Sequence, residues 1–136
     1  MKGDDVKVDD NGRGKTKTVL IVEDDYFQAH ILEKMVIHCG YSVAGKSDTG
    51  EYAIDLALKS SPDIILMDIS LRGEMDGIDT VHEIQKTLTP VVIYLTGNSD
   101  DYHMSRAKET GYLRYLNKPI NLPILRGVFN LIDESS

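Results

Sequence analysis

Four apolar runs of strand length in this chain each lead to a side chain that can do chemistry. Val19 to Val22 ends in Glu23 and Asp24, Ile64 to Met67 in Asp68, Val91 to Leu95 in Thr96, and Leu113 to Leu116 runs towards Lys118. Carboxylates from separate segments, folded onto one another, form an oxygen-rich hollow suited to a hard cation such as Mg²⁺, which takes only one or two carboxylates and keeps several waters. Without a cation, such like charges repel strongly at short range in a partly desolvated site. A carboxylate can also act as a nucleophile and carry a phosphoryl group as an acyl phosphate. Phosphoryl transfer needs mainly positioning and charge neutralisation, so one metal, one ammonium and one hydroxyl suffice. Asp24 can hold the metal, Lys118 is the ammonium and Thr96 the hydroxyl, and Gly97 adds no side chain to block the approach. Singly each is ordinary, since an acidic pair after a strand commonly caps a helix. Convergence is what would set them apart.

Positioning them requires strands that end at one edge. From Thr18 onward, apolar runs alternate with segments of helical period, the pattern of repeated βα units. Strands are predicted at Thr18 to Val22, Tyr41 to Ala44, Ile64 to Met67, Val91 to Leu95 and Leu113 to Leu116. Asp25 with Gln28 and Asp48 with Glu51 fit capping boxes, while Asp76, Ser99 and Asn121 suit single N-caps. The buried stripes expected are Phe27, Ile31 and Met35 on the first helix, then Ala53, Ile54, Ala57 and Leu58 on the second. Val81 and Ile84 form a weaker stripe on the third. Strands joined by helical crossovers pair in parallel, with helices on both faces of a doubly wound α/β sheet. The functional crevice of such sheets lies beyond the carboxyl ends of the strands.

The 136 residues, 41% of them hydrophobic, suffice for one domain with one core. Residues 1–17, polar and mixed in charge, read as a flexible tail; 18–132 form the domain and 133–136 a short tail. Gly14, Lys15 and Thr16 mimic the end of a phosphate-binding loop, but Asp9 stands where that motif needs glycine and no strand precedes it. A net charge of -7 argues against direct nucleic-acid binding. The apolar runs are too short to span a membrane. The lone Cys39 and the lack of a signal pattern point to the cytoplasm.

The ordered strings V-E-D-D at 22–25, I-I-L-M-D at 64–68, Y-L-T-G at 94–97 and Y-L-N-K-P at 115–119 resemble the receiver domain of two-component response regulators, over roughly residues 17–132. That resemblance implies a five-stranded parallel sheet of flavodoxin-like order 2-1-3-4-5, and a phosphorelay role with Asp68 as phosphoacceptor. Asp24 and Asp68 would bind Mg²⁺, with Glu23 as the second acid of the pair and the Ser70 carbonyl as a further ligand. Lys118 would contact the phosphoryl oxygens, Thr96 would hydrogen-bond one of them, and Tyr115 would turn inward on activation. Ser70 and Asn98 would flank the path of attacking water, with Gly97 leaving the phosphoryl entrance open, and the Lys118–Pro119 peptide would be cis. The implied donor is a histidine kinase or histidine phosphotransfer protein. The implied output surface is helix four, strand five and helix five, with homodimerisation linked to phosphorylation as one outcome. No enzymatic turnover is implied beyond Mg²⁺-dependent self-phosphorylation and self-dephosphorylation.

The loop after Asp68 departs from the commonest family pattern: Arg72 and Asp76 stand in place of a proline and a glycine, and Gly77 comes one position late. Ile120 replaces an aromatic. Two alternatives share some of these residues. A haloacid-dehalogenase-like phosphatase would place its nucleophile after the first strand, with a carboxylate two residues later, where Asp68 is followed by Ser70. A pseudo-receiver binding module would be marked by loss of one of Asp24, Asp68, Thr96 or Lys118.

Overall fold

The computed structural model describes residues 16–98 and 100–135. The tail expected over 1–17 lies almost wholly outside these, as does the cap expected at Ser99. In chain order the elements are β1 (Thr18–Val22), α1 (Tyr26–His38), β2 (Ser42–Ser47), α2 (Gly50–Ser60) and β3 (Ile64–Asp68). There follow α3 (Gly77–Gln85), β4 (Val91–Thr96), α4 (Asp101–Ala107), β5 (Arg114–Asn117) and α5 (Leu122–Ser135). The strands form one parallel sheet of order β2-β1-β3-β4-β5.

The central strands are apolar along almost their whole length because helices cover both faces. Alternate residues feed two cores. Leu20, Val22, Ile65, Met67, Val92 and Tyr94 meet α2 and α3, whereas Val19, Ile21, Ile64, Leu66, Ile93 and Leu95 meet α1 and α5. Register brings the strand ends level, with Val22 opposite Met67, Asp68 opposite Leu95 and Thr96 opposite Asn117.

Several elements differ from expectation for local reasons. β2 starts one residue later than predicted and runs three further, to Ser47, because a shift in pairing lets Gly45 oppose Leu20 and the ladder continue past the glycine. α1 buries Ala29, Leu32 and Val36, while Phe27 and Ile31 are 69% and 41% exposed and Met35 packs only at the edge. Apolar residues circle this helix, so its sequence period does not single out one face, and the small Ala29 gives closer approach to the sheet. On α2, Leu58 is likewise exposed. Thr49 caps α2 in place of Asp48, and Asp100 caps α4. α5 continues through the expected tail to Ser135, where the Tyr41 hydroxyl donates to Asp133 Oδ1 at 2.6 Å.

Candidate phosphoryl and cation site

The carboxyl ends of β1, β3 and β5 bring Glu23, Asp24, Asp68 and Lys118 together. Carboxylate oxygens of the three acids lie within 4.8 Å of one another. Glu23 and Asp68 are buried, and the Lys118 ammonium bridges them, donating to Glu23 Oε1 at 2.6 Å and to Asp68 Oδ2 at 3.2 Å. Burial raises the Glu23 carboxyl to about 7 against the pull of Lys118 and the Asp25 N–H. Burial also works against the charged form of Lys118, but its two carboxylate partners outweigh it and raise the ammonium above its ordinary value.

Backbone geometry holds the acids in place. The Ser70 N–H donates to Asp68 Oδ1 at 3.0 Å and the Asp25 N–H to Glu23 Oε2 at 3.1 Å. The Lys118 N–H donates to the Thr96 carbonyl at 2.7 Å, and the Lys118–Pro119 peptide is cis. Asp24 has a different partner. Its Oδ2 accepts from the Arg72 N–H at 3.0 Å and lies 3.3 Å from Arg72 Nε. The ligand atoms that Glu23, Asp24 and Asp68 offer are hard oxygens, and one lysine is shared between two of the carboxylates. The set therefore fits a small divalent cation such as Mg²⁺.

Thr96 is buried at the end of β4. Its hydroxyl donates to the Asn98 carbonyl at 2.9 Å and accepts from the Asn98 N–H at 3.1 Å, while Gly97 and Asn98 are exposed. Tyr115 packs 6.2 Å from the rings of both Tyr94 and Tyr112. The residue as a whole is partly buried, and its hydroxyl is buried without a hydrogen-bond partner among the described residues. Burial raises the phenol above its ordinary value, and the nearby Thr96 side chain eases this only in part.

Two arrangements around the acceptor escaped the sequence reading. Asp76 and Asp79 form a full capping box at the start of α3, and Arg106 of α4 bridges both carboxylates with Tyr102 stacked 5.4 Å from its guanidinium. Burial opposes ionisation of Asp76, yet Arg106 and the α3 amides hold its carboxyl below the ordinary value. An arginine 30 residues downstream leaves no local signal of this contact. Gly77 is the second. A Cβ there would lie 2.2 Å from the Asp68 carbonyl oxygen and 2.9 Å from Ile69 Cα, so only glycine lets α3 start behind the acceptor strand. Gly77→Ala is expected to lose about 1–3 kcal/mol in urea unfolding, since backbone cannot give way as a side chain can. Gly97→Ala, with nothing within 4 Å of the added atom, is expected to stay within about 0.5 kcal/mol of wild type. Equal losses would contradict the packing assigned to Gly77.

A cleft of about 720 Å³ lies elsewhere, at the amino ends of the strands, and is lined mainly by apolar groups such as Leu88, Val91, Leu113 and Ile132. Titratable groups converge at the carboxyl edge instead. No helix among the described residues is long and apolar enough to cross a membrane.

A family model described as response regulator receiver domain matches residues 19–130. The chain is 35% identical over 107 residues to the transcriptional regulatory protein PdtaR of Mycobacterium tuberculosis, a match covering 78% of this chain and 51% of that protein. It is 41% identical over 70 residues to the chemotaxis protein CheY of Thermotoga maritima, covering 52% and 58% respectively. Among solved structures, the signal receiver domain of a modulated diguanylate cyclase from Desulfovibrio desulfuricans G20 superposes with a TM-score of 0.83 at 32% identity, covering 89% of this chain and 96% of that one. The matched region thus spans a little over half the length of these two curated relatives.

Proposed function

Because this chain belongs to the response regulator receiver domain family, we propose that it accepts a phosphoryl group on the Asp68 carboxylate, beside bound Mg²⁺, and passes that event to a protein-docking face. The observation that carries the reading is the Lys118 ammonium spanning Glu23 and Asp68 within a three-carboxylate cluster.

In the transfer, an Asp68 oxygen bonds to phosphorus as the phosphorus–nitrogen bond of a phosphohistidine breaks. The bonding pair stays on the imidazole, which takes up a proton. Asp24 and Asp68, with Glu23 as the paired acid and the Ser70 carbonyl, would hold Mg²⁺, whose charge offsets that of the phosphoryl oxygens. An ammonium has three protons. Two of those on Lys118 are committed to carboxylates, leaving the third for a phosphoryl oxygen. Exposed Gly97 and Asn98 leave the approach open for the donor and, later, for water.

The switch starts at Thr96. To donate to a phosphoryl oxygen, its hydroxyl must leave the Asn98 carbonyl, which opens the turn that leads to Asp100, the cap of α4. Movement of this turn vacates space into which the ring of the partly buried Tyr115 can rotate, so the change reaches the face formed by α4, β5 and α5. Phosphorylation thereby favours a conformer stabilised by contacts absent before it. The donor is a histidine kinase or histidine phosphotransfer protein. The output face comprises α4, β5 and α5, where Tyr102 and Ile124 are exposed, and a second copy can dock there as readily as a target. The module acts as a cytoplasmic switch, its own phosphorylation and dephosphorylation being its only chemistry.

The test treats wild type and Asp68→Ala with a small acyl phosphate and Mg²⁺, then measures intact mass. One added phosphoryl group in wild type alone is expected; equal addition to both proteins, or none to wild type, would refute Asp68 as acceptor.

A further inference from the structure

The three clustered carboxylates are neutralised by two different cations. Lys118, with a side chain 19% exposed, serves Glu23 and Asp68. Asp24 is served by the guanidinium of Arg72, which is 82% exposed on the loop between β3 and α3. Both contacts of Arg72, its backbone N–H and its Nε, fall on the same oxygen, Asp24 Oδ2. The backbone contact belongs to the loop and survives any change of side chain. The guanidinium contact adds a full positive charge at the mouth of the pocket, and no accessible pH removes it.

These two neutralising groups differ in how readily they are exchanged. A buried ammonium between two carboxylates cannot leave without stranding charge. An exposed arginine, bathed in water and paying side-chain entropy for its pose, holds its carboxylate only weakly. A divalent cation entering the cluster meets Arg72 as a like charge competing for the same carboxylate. Resting on the reading of this hollow as a Mg²⁺ site, we propose that Arg72 is the resident counter-ion of Asp24 in the metal-free protein and sets the cation affinity of the pocket by having to be displaced. The side chain is released as the cation loads, so this loop position tunes how much free cation the switch needs before it can be charged.

Mg²⁺ is titrated into wild type, Arg72→Gln, Arg72→Ala and Arg72→Lys by calorimetry, with ¹H–¹⁵N spectra recorded in parallel. At low ionic strength the Gln and Ala proteins are expected to bind about two- to fivefold more tightly than wild type, and the Lys protein like wild type. Because an exposed charge is screened, the gap should close in about 0.5 M KCl. The Arg72 Nε–H resonance of wild type should move as Mg²⁺ is added. Equal affinity in the Gln, Ala and wild-type proteins overturns the competition while leaving the Mg²⁺ site intact. Weaker binding by the Gln and Ala proteins overturns it in favour of Arg72 orienting Asp24. A wild type that binds no Mg²⁺ overturns both the site and this inference.

Discussion

Alanine in place of Lys118 is expected to abolish phosphoryl acceptance and, in metal-free buffer at pH 8, to cost about 3–5 kcal/mol of stability. The side chains of Glu23 and Asp68 are only 1% and 4% exposed, and Lys118 bridges both. Removing it strands two carboxylates where water cannot solvate them. Protons can partly replace it. The Glu23 carboxyl is already raised to about 7 in the folded protein, by burial before all else, and losing the ammonium moves it higher. A carboxyl raised on folding binds its proton more tightly in the native state. Its contribution to stability is full below the ordinary carboxylate range and is lost as pH climbs through the folded value. The deficit of Lys118→Ala should therefore shrink as pH falls from 8 to about 7 and level off from there to pH 5, where Glu23 is protonated in both folded proteins. Urea unfolding of both proteins across that range, with chelator present, measures it. A deficit that is flat with pH would mean Lys118 contributes packing rather than charge.

The second large effect concerns the cation. Mg²⁺ at about 100 times its dissociation constant should stabilise wild type by about 2.7 kcal/mol, a rise on the order of 10 °C in the midpoint for a domain of this size. Asp24→Asn should begin higher than wild type without metal and gain almost nothing when Mg²⁺ is added. Asparagine removes one of three mutually repelling charges, and what it loses is an exposed pairing with Arg72 that contributes little. From the sequence alone, Asp68→Asn is expected to behave the same way. The contacts separate the two. Asp68 accepts from both Lys118 and the Ser70 N–H, and an amide cannot satisfy two donors and keep the charge pairing, so its relief is offset. Melting curves of the three proteins with chelator and with Mg²⁺ decide the matter. A wild-type midpoint indifferent to Mg²⁺ would remove the cation from the site.

Much of this arrangement was legible in the chain because its information is local. Apolar runs ending in Glu23, Asp68 and Thr96 carry their own strand signal, and parallel pairing must bring such ends to one edge. Asp76 was readable as a cap for the same reason. The misreadings fall where two local choices are close in energy. Asp48 and Thr49 both offer a side-chain acceptor, and the backbone chose Thr49. On α1, Phe27 and Ile31 are larger than Ala29, but the spacing to the sheet, which no single helix encodes, decided which face turned in. Contacts between distant segments left no trace at all. Neither Arg106 reaching Asp76 nor Arg72 reaching Asp24 follows a spacing rule, since each depends on where whole elements come to rest. That the Tyr115 hydroxyl is buried is equally a property of packing, beside Tyr94 and Tyr112.

Helix α4 is unlike its neighbours in how it is fastened. It has seven residues, of which only Ala107 is buried, and Arg106 ties it to the head of α3 through ionic contacts at a partly wetted seam. Oil-like adhesion resists sliding in proportion to area, whereas charged ties can be remade one at a time with water as stand-in. A shift of this helix would therefore leave the sheet sandwich beneath it zipped, so a stiff scaffold is compatible with a rim segment held by few buried contacts.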